Sequence, residues 1–206
     1  MGSKTVSFCT IPQASLEERM AFYRFRSAHH FFVEAKQILE EIAKLDKGHV
    51  AIVIHNSLWL SFYILYAKPF EQQRDKTLKM GLRLPDDLVP PQFKRRHESI
   101  LHFRDKMFAH TDISGPTTDN GISLNALVLI YVNRTTYHFA NAFVHPAPEL
   151  IPQFDALLDA LVEKCDYHAK KIWRRWAKEL DLPAGSSWKI NVGAEDCYIM
   201  EKWGQK

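Results

Sequence analysis

The 206-residue chain has little of what staples, ligates or cradles. Its three cysteines, Cys9, Cys165 and Cys197, are an odd count with no pair at two-residue spacing. That argues against a disulfide framework and against a cysteine-based zinc or deaminase centre, and it points to a reducing, cytoplasmic setting. The eight glycines never gather into a phosphate loop, and no G-x-S-x-G elbow is present. His97 and His102 stand about 140° apart on a helix, where a zincin needs both rings on one face. Neither a metal nor a cofactor is expected. Long apolar runs are also scarce. The longest, Val50 to Tyr66, is short for a bilayer and holds His55, Asn56, Ser57 and Ser61 near its middle. It reads as a core helix, and no membrane partner is expected. The opening MGSKTVSFCTIPQ lacks the apolar stretch of a secretory signal, and Val6 stands where a myristoylation signal wants Ser or Thr. Net charge is only +3, too small to announce a polyanion by itself.

What remains is the composition of an ordinary globular protein, 46% hydrophobic and 25% charged. A chain of this length buries about 70% of its unfolded surface, so one domain over residues 1–206 is expected. Ser15 and Glu18 form a capping-box pattern, and Leu16, Met20, Phe31, Ala35, Ile38, Ile42 and Leu45 recur behind it at helical steps. They predict an amphipathic helix from Leu16 to Asp46. Gly48 breaks it, and the run from Val50, apolar nearly all round, predicts a buried second helix ending at Pro69-Phe70. Glu71 to Pro91 is charged, closes on Pro85, Pro90 and Pro91, and reads mostly as loop. Pro91 suits the first position of a third helix, Gln92 to about Ala109.

Asn120-Gly121 and the β-branched and aromatic runs around Asn133-Arg134 predict a hairpin inserted at about 122–145. From Pro148 the spacing of Phe154, Leu158, Leu161, Cys165, His168, Ile172 and Trp176 gives a fourth helix, ending near Leu182-Pro183. A β tail follows at about 186–204. The expected fold class is mainly α: a helical bundle of about four long helices with an inserted β-hairpin and a small C-terminal β element.

Chemistry concentrates on the third helix. With Ile100 at zero on a helical wheel, Met107, Phe93, His97, Phe108 and Leu101 fall between about −20° and +100°, and Arg104 lands among them near +40°. A guanidinium cannot stay dry and unpaired, so Arg104 meets a carboxylate or faces a cleft or subunit interface. His110 follows six residues later, where the helix is ending and a ring can reach solvent, with Asp112 able to orient it. Histidine moves protons near neutrality, and arginine stabilises the added charge of a pentacoordinate phosphorus.

The segment Arg104-Asp105-Lys106-Met107-Phe108-Ala109-His110 resembles the R-x(4–6)-H motif of the HEPN superfamily, the higher eukaryote and prokaryote nucleotide-binding domains. The polar residue after the arginine and the following Thr111-Asp112 are similar to its abortive-infection branch. The resemblance implies an α-helical bundle that dimerises, bringing two motifs into one cleft, and a metal-independent endoribonuclease acting as a toxin or antiviral effector. Arg104 and His110 would then be the catalytic pair, with Asp105 in support, RNA as substrate and an antitoxin or regulator protein as partner. The hairpin and β tail depart from the simple bundle.

Two basic stretches offer themselves to RNA: Lys94-Arg95-Arg96, and Lys164, Lys170, Lys171, Arg174, Arg175 and Lys178 on the fourth helix, interleaved with Trp173 and Trp176. These suit a backbone and unpaired bases, or equally a solvated face over core tryptophans. Arg24 repeats the pattern of a charge on an apolar face, with Glu34, Glu98 or Asp105 as candidate partners. Alternatives to the enzyme stay open: a non-catalytic module of the same fold binding a nucleotide, RNA or protein through Arg104, or a structural helical protein.

Overall fold

The structure, a computed structural model, describes residues 8–10, 14–45, 52–71, 83–105, 128–133, 136–141, 146, 148–178, 180, 188–191 and 198–201. For the strands and residues 52–53 it gives backbone alone. It is mainly helical, built on α1 (Leu16–Leu45), α2 (Ile52–Ala67), α3 (Lys94–Arg104) and α4 (Ile151–Ala177). Among the described residues no helix is long and apolar enough to cross a membrane. Five short strands accompany them: β1 (Phe8–Thr10), β2 (Val128–Asn133), β3 (Thr136–Asn141), β4 (Trp188–Asn191) and β5 (Tyr198–Glu201). β2 and β3 pair antiparallel with Tyr131 opposite His138, and β5 lies between β1 and β4 with Ile199 opposite Cys9 and Ile190.

α1 starts where its cap dictates. The Ser15 hydroxyl accepts the Glu18 amide at 3.2 Å, satisfying one of the donors a helix start leaves open, and the Ser15 carbonyl accepts the Arg19 amide at 3.0 Å as the first bond of the helix. Behind the cap Phe25, Ala28, Phe32, Ala35, Leu39 and Ile42 bury one face at steps of three and four. That face meets α4, whose Phe154, Leu157, Leu158, Leu161, Cys165, Ala169, Ile172 and Trp176 follow the same rhythm. The two helices run antiparallel, as the order of their ion pairs shows. Glu18 meets Arg175 at 2.6 Å, Arg26 meets Asp166 at 3.7 Å, and Lys36 meets Asp155 at 3.4 Å and also Asp159.

α2 fills the centre with rings. Trp59 stacks on Tyr63 and meets Phe62 and Phe154 edge-on, and all four are buried. The helix yields to a short turn, Lys68–Phe70, in which Pro69 and Phe70 are buried. Residues 83–90 then form a strap without α-helix. The Leu84 amide donates to the Pro69 carbonyl at 2.8 Å, Arg24 of α1 reaches the Arg83 carbonyl at 3.4 Å, and Lys164 of α4 reaches the Leu88 carbonyl at 2.9 Å. Backbone groups outside regular structure thus find partners on two helices and on the turn that follows α2.

Two expectations shift. The third helix begins at Lys94 rather than Gln92, because Pro91–Phe93 makes a tighter turn first; its expected reach past Asp105 lies outside the described residues. The fourth begins at Ile151, after a turn at Pro148–Leu150, and ends at Ala177, short of Leu182. Pro152 sits in its first turn, where a missing amide costs nothing.

Candidate active site at the end of α3

Phe93, His97, Ile100 and Arg104 stand at steps of four, three and four, one stripe down α3. His97 and Ile100 are buried and Phe93 packs on the core. Arg104, the last described residue on the stripe, keeps 23% of its side chain exposed. Its Nη1 donates to Asp105 at 2.6 Å and its Nη2 pairs with Glu71, just past the turn that ends α2. Its Nε is shielded and finds no acceptor among the described residues. The sequence-level requirement that this arginine meet a carboxylate is thus met twice, once by Asp105 and once by Glu71, a residue within the stretch read as loop.

This arrangement has a definite chemical capacity. A guanidinium held by two carboxylates is fixed in orientation, yet both partners are accessible, Glu71 at 41% and Asp105 at 56%. Ion pairs so exposed contribute roughly 0–1 kcal/mol each, little enough for a phosphate to displace one of them. The structure places Arg104 and Asp105 together, whereas the expected site residue His110, and Asp112 beside it, lie outside the described residues.

Two places before Arg104 on the stripe, His97 holds α3 to α2. Its Nδ1 lies 2.9 Å from the Tyr66 hydroxyl, both residues being buried, and Phe70 presents against its ring at 4.4 Å between centroids. Burial pushes the imidazole pKa below its ordinary value, and Arg83 works in the same direction, while Asp86 and Glu98 oppose. Burial pushes the Tyr66 hydroxyl well above the usual tyrosine range, so it keeps its proton, and it donates to Nδ1 or accepts from it according to the imidazole tautomer. The sequence carried one hint of this pair, a histidine on an apolar stripe. Its partner could not be read without knowing how α2 and α3 pack.

The basic stretches are spent in part on the protein itself. Arg96 donates to Gln153 at 2.6 Å, Lys170 pairs with Asp166 at 2.6 Å, Arg175 with Glu18, and Lys164 with the strap. Lys94, Arg95, Lys171, Arg174 and Lys178 stay on exposed faces. Trp176 is buried at 5.0 Å from Phe22 and the half-buried Trp173 packs on the core, so both tryptophans contribute to the bundle. Arg24 bonds the strap carbonyl and lies 5.4 Å from the Phe25 ring centre, not against Glu34, Glu98 or Asp105. Among the described residues no three of His, Cys, Asp or Glu gather to hold a metal ion. Comparison with family models, with curated proteins and with solved structures found no match in any of the three.

Proposed function

We propose that the protein is a metal-independent endoribonuclease of the HEPN type, a toxin or phage-defence effector of the cytoplasm with a composite site at a homodimer interface. The setting of Arg104 carries this reading: an oriented, partly exposed guanidinium at the end of an otherwise apolar stripe, six residues before a histidine. His110, from one or both subunits, takes the proton of a ribose 2′-hydroxyl as its oxygen bonds to phosphorus, and returns one to the 5′-oxygen as that bond breaks. Arg104 stabilises the charge of the phosphorane, Asp105 orients it, and the product is a 2′,3′-cyclic phosphate. DNA lacks the nucleophile and is inert. The proposed domain spans 1–206, with the hairpin of about 122–145 inserted before α4 and the β element of about 186–204 on the same unit. An antitoxin or regulator protein is its proposed partner.

Incubation with total RNA in EDTA, beside Arg104→Ala and His110→Ala, tests this. Fragments with cyclic ends are expected from the native protein and from neither variant, each substitution slowing cleavage on the order of 10²-fold or more. Cleavage that survives both substitutions, or none at all, refutes it.

One observation favours a second reading. Both terminal nitrogens of Arg104 are already occupied, as suits a site where an anion exchanges with Glu71 without turnover. A non-catalytic HEPN-like module of this kind is stabilised by a nucleotide at a hundred times its Kd by ~2.7 kcal/mol without cleavage, and Arg104→Ala removes the shift.

A further inference from the structure

α2 is apolar almost throughout, yet the bundle covers only part of it. Ile54 is 52% exposed and Ile64 45%, while Leu58 and Leu65 are half-buried. At 100° per residue Ile54, Leu58, Ser61 and Leu65 fall within about 60° of arc, with Ile64 on the flank. Ser61 does not interrupt the stripe, because its hydroxyl donates back to the Ser57 carbonyl at 2.8 Å. Beside Leu65, α1 presents Glu34, Gln37, Ile38, Glu40 and Glu41, and together they line an open groove of about 470 Å³. That lies within the range of natural binding clefts, about 300–1,000 Å³. Ile38 and Leu65 supply its apolar surface and its α1 side is acidic, and Leu65 is where the groove meets the α2 stripe.

The rim is placed against its own helix. Glu40 and Glu41 stand near the C-terminus of α1, where the helix dipole disfavours anions. Glu41 pairs with Lys44 and Glu34 with His30, which leaves the edge net acidic. A second copy laid stripe to stripe with its α2 antiparallel sets these carboxylates against each other, and the exposed face of α4, Tyr167 with Lys171, Arg174 and Lys178, offers one apolar anchor only.

We infer that the groove docks an amphipathic helix of a partner protein, with apolar residues at i, i+4 and i+7 over the α2 stripe and Lys or Arg along the edge that faces α1. This rests on no part of the ribonuclease reading, and each can fail alone. The full chain is titrated by fluorescence anisotropy against a labelled peptide of about 18 residues, long enough to be helical, with leucines on one face and lysines along one edge. Binding is expected, and reversing the rim with Glu40→Lys/Glu41→Lys, or breaking the stripe with Ile54→Asp, weakens it about tenfold or more. Circular dichroism confirms that these variants of exposed residues are folded. Equal binding of a glutamate-edged peptide, absence of binding, or unchanged binding in the variants overturns the inference. So does sedimentation that finds a dimer which Ile54→Asp dissolves, since a second copy then covers the stripe.

Discussion

Removing one oxygen atom at Tyr66 tests how α3 is anchored. In Tyr66→Phe the ring stays among Phe32, Phe62 and Phe70, and only the hydroxyl that bonds His97 Nδ1 is lost. Both partners are buried, so the nitrogen is left without solvent or protein to bond, a cost of about 1–3 kcal/mol. The double variant Tyr66→Phe/His97→Leu removes donor and acceptor together and is expected to recover part of that loss, because an apolar pair leaves nothing unsatisfied. Acidity adds an independent signature. An unfolded imidazole takes its proton near 6.5, whereas burial holds the folded one lower, so the unfolded state binds more protons as pH falls. Stability is complete above about pH 7 and declines from there down toward the lowered folded value. His29 and His168, also lowered by burial, share this window, so His97→Leu flattens the slope without abolishing it. Urea unfolding followed by circular dichroism at pH 7.5, 6.5 and 5.5 reads both effects. A Tyr66→Phe midpoint equal to the native one, with a slope in His97→Leu as steep as before, refutes the anchoring argument.

Two other outcomes follow from burial alone. Leu161 is fully enclosed between α1 and α4, and Leu161→Ala is expected to cost about 2–5 kcal/mol in the same urea assay, cavity included. Burial pushes the Cys165 thiol up to about 12, so the native protein at pH 8 should leave Cys165 unalkylated by iodoacetamide, with labelling appearing in urea, as peptide mass spectrometry can read.

The helices were legible because local signals and burial agree. Ser15 begins α1 in the sequence and in the structure, and the apolar rhythm carries it to Leu45, the expected last residue Asp46 lying outside the described residues. α4 follows its predicted rhythm from Phe154 to Trp176. The ends were less legible, since Pro91–Phe93 and Pro148–Leu150 make tighter turns that no period announces. At the candidate site, the place of Arg104 on an apolar stripe was readable from angles alone. Its partner Glu71 was not, because the contact joins residues 33 apart through the packing of α2 on α3. The strap was read as loop for its prolines, and nothing in those prolines foretold its bonds to α1 and α4.

The pairing of α1 with α4 joins the early and late parts of the chain, and this governs the order in which the protein can be made. A ribosome adds about 5–20 residues per second, so α4 is complete roughly 7–26 s after the last residue of α1. Through that interval the nascent chain carries Phe25, Phe32 and Leu39 on a face whose main partner does not yet exist. A message cut before α4 yields a sticky fragment rather than a smaller working protein. The newborn chain is therefore a natural client for whatever shields apolar helices at the tunnel mouth.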